Sequence, residues 1–431
     1  MSQHAPLEIS DRFPRYTDHD PLVPVWDVTA GMRGCFHRFF DTSPISPSGR
    51  YLACLRMPDE TRVNGPGEPA DVVLIDLADG AHRVVTATCG WEGQLGANIN
   101  WGADDHSLIF NDVDTQTWTP QLVRLDPLTG KADRTPGGVY HVSPDGRFAA
   151  SASTDRMRRT QCGYGVLVPD DRVPTNVGAP ADDGLFITDL TTGHRKLVLS
   201  LADAVKFIPD FRDGRARPDD WHVYGFHSKW SPDGTRLIFT VRRLLRSKAW
   251  AWDNIGNDDA IRFDVLTLRP DGTDAYDAVP AEFWLKGGHH INWYPDSRQL
   301  SMNLGHFNDR KLQLVRVGYD GSDLRPLTAA LPGSGHPSVH PCGKILADTY
   351  AWERPLAYDD ASVPLRWIDP AAGVERRVVR MTSKVDQPSK EASLRVDAHP
   401  AWDRSWRYVS FNGVRDNTRH VFVMDMGDLI G

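Results

Sequence analysis

The chain has no apolar run long enough to cross a bilayer, and its first residues, MSQHAPLEISDRFPRYTDHD, lack the apolar core of a signal peptide. It has no Lys/Arg-rich run, and its formal net charge of −8 argues against a general nucleic-acid surface. Cysteine is scarce: Cys35, Cys54, Cys89, Cys162 and Cys342 make an odd number with no CxxC spacing, which argues against a disulfide framework. No pair of carboxylates of the kind a glycoside hydrolase needs can be picked out. Together these absences predict a cytoplasmic protein without nucleic-acid or membrane partners, or a periplasmic or secreted one if a leader has been removed. They do not define an oligomeric state.

What the chain does have is repetition. An octet recurs seven times: TSPISPSG (42–49), NINWGADD (98–105), VYHVSPDG (139–146), HSKWSPDG (227–234), HINWYPDS (290–297), HPSVHPCG (336–343) and HPAWDRSW (399–406). Each reads as a short strand ending in a tight turn. An apolar strand follows each octet. Further on comes an alternating strand that stops at an Asp/Gly turn, such as VVLIDLADG, LFITDLTTG or VFVMDMGD. With 36 glycines and 31 prolines the composition suits many short strands and turns.

Seven antiparallel units predict an all-β fold, a seven-bladed β-propeller filling residues 1–431 as one domain. Blades would start near 42, 98, 139, 227, 290, 336 and 399. A strand from about residues 20–30 would close the ring. The spacing between octets is uneven, 41 to 88 residues, so the excess should lie in loops. Residues 154–183, 201–226 and 243–262 are the longest such insertions, and long loops on a compact scaffold commonly carry binding function.

The first octet position is His in the last four copies and not in the first three. In a propeller that position opens the inner strand, so His227, His290, His336 and His399 should converge at the channel mouth. Imidazoles so gathered suit a divalent ion, Zn or Mn, or Ca with carboxylate help. Asp397 could orient or replace a ligand. His289 should point the other way along its strand, and His340 and Cys342 lie in the turn, away from the mouth.

The other half of the mouth carries His37, Arg38, Asn98, Tyr140, His141, Arg156, Tyr164, Arg242 and Arg243. This set suits an anionic, hydroxyl-rich ligand, because Arg pairs bidentately with carboxylate and Tyr or His can pass protons.

The runs HRFFDTSPISPSGRYLA, DRMRRTQCGYG, HSKWSPDG with its following Arg pair, GHPSVHPCGKILADTY and DAHPAWDRSWRYVSFNG resemble the seven-bladed propeller polysaccharide lyases: ulvan lyases, L-rhamnose-α-1,4-D-glucuronate lyases and, more distantly, oligogalacturonate lyases. The resemblance spans about residues 35–425. It implies cleavage of a glycosidic bond next to a uronic acid by β-elimination, in a uronate-containing oligosaccharide, with a metal held by His227, His290, His336 and His399. The pair Tyr140 and Arg156 fits the ulvan-lyase pattern best. Arg156, supported by Arg38 or Arg243, would clamp the carboxylate. Tyr140 or a histidine (His37, His141 or His227) would move the protons. Asn98, Tyr164, Arg242 and Tyr224 would bind substrate, with Asn98 standing where such enzymes use a histidine. The alternative is a non-catalytic binding propeller resembling TolB, which would hold no metal.

Overall fold

The computed structural model of the chain describes residues 7–248, 260–353, 356–386 and 394–430. The expected insertion 243–262 therefore lies partly outside the described residues. The fold is all-β. Five sheets have four antiparallel strands each, in chain order. They begin at Cys35–Phe36, Asn100–Trp101, His141–Val142, Trp221–Trp230 and Gly288–Trp293. The last sheet has eight strands. One half runs from Ser338–Val339 to Val374–Thr382, the other contains Ala401–Trp402, Tyr408–Arg415 and Thr418–Asp425, and the halves join through the single residue pair Thr382↔Val414. The N-terminal strand Val25–Asp27 pairs with Thr418–Asp425, Val25 opposite Met424.

The octets explain the inner strands. Their turn is closed by carboxylates and hydroxyls: Asp145 Oδ1 accepts the Arg147 N–H at 3.1 Å, Asp233 Oδ1 the Thr235 N–H at 3.0 Å, and Asp296 Oδ1 the Arg298 N–H at 2.8 Å. The eighth residue takes the left-handed conformation in six of the seven octets, with φ from +59° at Ser297 to +86° at Gly343. Glycine has no Cβ to clash there, which is why it stands at that position in four octets. The fourth position is Trp in four octets. The Trp101 indole donates to Pro44 O at 2.8 Å and that of Trp293 to Lys229 O at 3.1 Å, so each reaches the octet of the preceding sheet.

The middle strands are buried on both faces because sheets stack side by side. Leu185, Ile187, Phe226, Phe239 and Leu266 fill the space between the third and fourth sheets. Ile238, Val265, Ile291, Leu300 and Met302 do the same between the fourth and fifth. Each such side chain contributes about 1.5–3 kcal/mol on burial, so neighbouring sheets hold one another.

Two departures from the expected layout position the site. The insertion expected at 201–226 ends at residue 220, and residues 221–230 form one ten-residue strand. That strand slips register between Gly225 and Ser228, and the first strand of the fifth sheet slips between His289 and Asn292. Such bulges re-aim side chains, and His227 and His290 each sit in one. No helix among the described residues is long and apolar enough to cross a membrane.

Candidate functional site

The four octet histidines are buried and gather at one level, but around an aromatic ring. The Phe39 ring centroid lies 5.5 Å from that of His227, 5.7 Å from His290, 5.1 Å from His336 and 4.9 Å from His399. His290 stacks on His336 with centroids 3.7 Å apart, and His336 meets His399 edge-on at 4.4 Å. His227 stands on the other side, in a cage of Tyr140, Tyr164 and Phe226 at 5.1, 6.0 and 4.2 Å.

Donor atoms within 4.8 Å of one another come from His336, Asp397 and His399, all buried. His227 and His290 stand outside that group. Asp348 orients it. Its Oδ1 accepts the backbone N–H of His336 at 2.6 Å, its Oδ2 that of His399 at 3.1 Å, and the His336 Nδ1–H reaches both oxygens at 2.9 and 3.0 Å. The Nδ1–H of His399 donates to Arg38 O at 3.1 Å. Both rings therefore keep the tautomer with a lone pair on Nε2, and those two buried Nε2 atoms have no hydrogen-bond partner. Together with the Asp397 carboxylate 3.8 Å from His399 Nε2, this donor set fits a divalent ion.

His290 is held differently. Its φ is +64°, a conformation uncommon outside glycine, asparagine, aspartate and histidine. Its Nδ1 lies 2.6 Å from Gly335 O and 2.7 Å from His289 Nδ1, and its Nε2 accepts from the Tyr350 hydroxyl at 3.2 Å. A Cβ on Gly335 would stand 2.2 Å from Asp348 O, so the approach of this carbonyl to the imidazole requires glycine. Burial first, then the neighbouring His336 and His289, pushes His290 well below the usual imidazole range. Burial likewise lowers His227 and raises Tyr350. The His290–Tyr350 pair is thus uncharged at neutral pH.

A cleft of about 790 Å³ opens over these groups. His227, His289, His290, Tyr164 and Tyr350 line it beside Arg242, Arg262, Arg310 and Arg395, with Phe263 and Trp284 in its walls. The Arg242 guanidinium lies 3.5 Å over the Phe226 ring and donates to Gln161 Oε1 at 2.7 Å. It pairs with no carboxylate among the described residues. Burial lowers its pKa to about 9. Arg395 instead binds Asp397 Oδ2 at 2.7 Å.

Beneath the histidines lies a buried ionic cluster. Asp41 pairs with Lys229 Nζ at 2.9 Å and with Arg38 at 3.0 Å, all three side chains 1% exposed or less. Lys229 also donates to Ile291 O at 2.7 Å, and Tyr140 approaches Asp41 Oδ2 at 3.4 Å. Burial raises the Asp41 pKa, but Lys229 and Arg38 outweigh it and hold the carboxyl well below its ordinary range.

The remaining sequence-predicted residues divide. Tyr164 and Arg242 line the cleft. Tyr140 and Arg38 belong to the floor. His37 is buried and lowered to about 3, by burial and then by His399 and Arg38. His141 accepts the Trp230 N–H at 2.9 Å and is lowered to about 4, chiefly by burial. Asn98 is buried with φ +55° and both amide atoms unpartnered. Arg156 is committed to Asp183 at 3.0 Å and to Asn176 at 2.7 Å. Tyr224 accepts the Asn176 N–H at 3.3 Å. Arg243 pairs with Asp264 and Asp210, each at 3.0 Å. Arg156, Tyr224 and Arg243 do not line the cleft. For Arg243 the reason is alternation along the strand: Arg242 faces the cleft, so its neighbour faces away.

Sequence reasoning missed Asp41, Lys229, Asp348, Tyr350, Arg395 and the cleft position of His289. Lys229 was within reach of it, two residues after His227 on the same strand.

The sequence matches no protein-family profile and no curated protein. Solved structures resemble it in fold. An oligogalacturonate lyase in complex with manganese superposes with a TM-score of 0.65 at 14% identity, covering 100% of both chains. An oligogalacturonate lyase from Vibrio parahaemolyticus gives 0.65 at 13% identity, over 97% of this chain and 98% of that one. The β-propeller domain of the trilobed protease from Pyrococcus furiosus gives 0.50 at 10% identity, over 91% and 96%. The all-β fold is therefore propeller-like.

Proposed function

We propose that the protein is a carbohydrate lyase that cleaves a glycosidic bond next to a uronic acid by β-elimination. The observation that carries this reading is the half-buried Arg242, which pairs with no carboxylate among the described residues and opens into the same cleft as the uncharged His290–Tyr350 pair. A guanidinium without an acid partner fits a substrate carboxylate. An uncharged imidazole whose Nε2 accepts from a phenol hydroxyl fits proton abstraction through that hydroxyl. The full-length likeness to two oligogalacturonate lyases supports the same reading.

In this mechanism Arg242 binds the uronate carboxylate and stabilises the negative charge that develops as the C5–H bond breaks. His290 Nε2, relayed through Tyr350 or acting directly, takes the C5 proton. The electron pair forms the C4=C5 double bond, the C4–O4 bond breaks, and a proton is delivered to O4 of the leaving sugar. Tyr164, which lines the same cleft, is the candidate donor. His336, Asp397 and His399 would hold a divalent ion, manganese or zinc, which would supply Lewis-acid charge behind His290, whose ring stacks on His336. Tyr140 packs on His227 and the Arg38 carbonyl holds His399, while His37 and His141 are buried beside them. Arg156, Arg243 and Tyr224 hold the framework around the cleft. The eight-stranded sheet, counted as two blades with Val25–Asp27 as outer strand, completes a closed seven-bladed ring.

The test is to incubate the protein, with manganese or zinc supplied, with oligogalacturonates and with glucuronate-containing oligosaccharides. The expected result is growth of the ultraviolet absorbance of the unsaturated uronate, with product masses that sum to the substrate mass. Absence of unsaturated product across both substrate sets overturns the proposal.

A further inference from the structure

In a repeat, a contact that one copy lacks marks where that copy does something else. The tryptophan at the fourth octet position reaches back to the carbonyl at the third position of the preceding octet: Trp101 to Pro44 O at 2.8 Å, Trp293 to Lys229 O at 3.1 Å. By that rule the Trp230 indole belongs to His141 O. Instead the His141 side chain accepts the Trp230 backbone N–H at 2.9 Å, and the indole N–H, on a residue 4% exposed, has no acceptor. A buried donor left without a partner is rare. The fourth such tryptophan, Trp402, also lacks an acceptor, but the rings of Trp367, Trp406 and His340 pack against it. Trp230 lines a groove.

The groove measures about 780 Å³ and lies between the third and fourth sheets. It is at the turn end of the octets, beside Pro144, Asp145, Asp233 and Gly234, whereas the first-position histidines His227 and His290 line the cleft. Its apolar lining is Phe148, Ile187, Val198 and Trp230. Four carboxylates, Asp145, Asp189, Asp233 and Asp271, stand against one lysine, Lys196, and His194. Of the arginines near by, Arg147 meets Asp189 at 3.4 Å and Arg269 is paired with Asp274 at 3.3 Å. Among the described residues Asp145, Asp233 and Asp271 form no ion pair, and each uses Oδ1 to close its own turn.

We infer that this groove docks a basic peptide segment of a partner protein. The unpartnered indole points to a peptide: in the sister octets its acceptor is a main-chain carbonyl, and a segment lying in the groove brings one. The unpaired carboxylates call for lysine or arginine in that segment. Phe148, Ile187 and Val198 call for an apolar side chain beside it. The groove is of a size that holds a few residues. A simple organic cation satisfies the carboxylates but brings no carbonyl for the indole. A second copy of this chain, at a formal net charge of −8, is a poor match for an acidic groove. The inference is independent of the lyase reading, since the groove shares no lining residue with the cleft.

The test pans phage-displayed random octapeptides against the full chain. The enriched sequence is synthesised and titrated by calorimetry into the wild type, the triple variant Asp145→Asn, Asp233→Asn, Asp271→Asn, and Trp230→Phe. Asparagine keeps the oxygen that closes each turn and removes only the charge, so the triple variant should unfold at the wild-type midpoint. The expected result is enrichment of peptides with Lys or Arg beside an apolar residue. Binding should be at least about tenfold weaker to the triple variant and should weaken as salt rises. Trp230→Phe should lose about three- to tenfold, the loss of one hydrogen bond. The indole N–H resonance missing from the Trp230→Phe spectrum should shift when the peptide is added to the wild type. If Trp230→Phe does not fold, the triple variant decides alone. Enrichment without basic residues, no enrichment, or equal binding to wild type and triple variant overturns the inference. So does self-association of the wild type that the triple variant abolishes, which would seat a second copy in the groove.

Discussion

Replacing Asp41 by Asn removes one charge and almost no volume from the cluster under the histidines, and its effect can be worked from the contacts. Asp41 meets Lys229 at 2.9 Å and Arg38 at 3.0 Å with almost no solvent exposure. At an effective dielectric constant of about 20 each pair is attractive by roughly 5–6 kcal/mol. Desolvation of the three ions takes back most of that sum in the intact protein. In the variant the compensation is gone while two cations stay buried. Lys229 can relieve part of the strain by losing its proton, since burial already lowers its pKa. Arg38 cannot. The expected destabilisation is about 3–5 kcal/mol at neutral pH, the usual loss on breaking a buried pair.

The assay is urea unfolding followed by both tryptophan fluorescence and circular dichroism, with coincident transitions required before a free energy is taken. The pH dependence has a definite sign. The Asp41 carboxyl is held low in the folded state. Its contribution is therefore fully present above the unfolded value near 4 and is lost as pH falls toward the folded value. The gap between wild type and D41N should narrow in acid. A loss below about 1 kcal/mol, or a gap that does not change between neutral and acid pH, refutes this account of the cluster.

Four further outcomes follow from the geometry. His336→Ala, Asp397→Ala and His399→Ala should each lower the affinity for manganese or zinc by at least about tenfold by calorimetry, while His227→Ala, across the Phe39 ring, should retain the ion; equal loss in His227→Ala would break the assignment. Arg242→Gln should cut kcat/KM on a uronate substrate by about 10–100-fold with an unchanged unfolding midpoint, as expected on losing a charge-assisted contact. Glu92 is buried, its Oε2 accepts the Gly163 N–H at 2.7 Å, and burial raises its pKa to about 7. Its folded pKa lies above its unfolded one, so wild-type stability should fall as pH rises through that window, and Glu92→Gln should remove the slope and gain about 2–3 kcal/mol above it; parallel pH profiles would exclude this. Gly165→Ala places a Cβ 2.1 Å from Thr154 O at φ +93°, so it should cost more than about 2 kcal/mol and displace Tyr164; a neutral effect on the melt would contradict the turn geometry.

The sheets were legible because each unit writes the same turn chemistry, and Asp145, Asp233 and Asp296 cap their turns alike. The gathering of the imidazoles at the first octet position was legible for the same reason: a repeated place in a repeated unit needs no knowledge of the loops. What that reasoning could not see is what occupies the centre. Phe39 precedes the first octet and belongs to no repeat position, yet its ring meets all four imidazoles. Tyr350 and Trp352 lie past the strand Ile345–Ala347, in a stretch without periodicity. Alternation places Arg242 and Arg243 on opposite faces but does not say which face meets the cleft. His289 is expected to turn away from His290 by the same rule, and the register slip between His289 and Asn292 brings both to the cleft.

The ring of Phe39, wedged among the imidazoles with Phe40 and Lys229 packed against it, works as a stopper. In the proposed lyase a polymer would not thread past the histidines to the far side. Whatever reached the imidazoles would back out through the mouth it entered, so departing fragments and arriving chains would share one doorway. Short oligomers or loose chain ends would then gain easy access, and accumulated fragments would slow turnover by standing in the way.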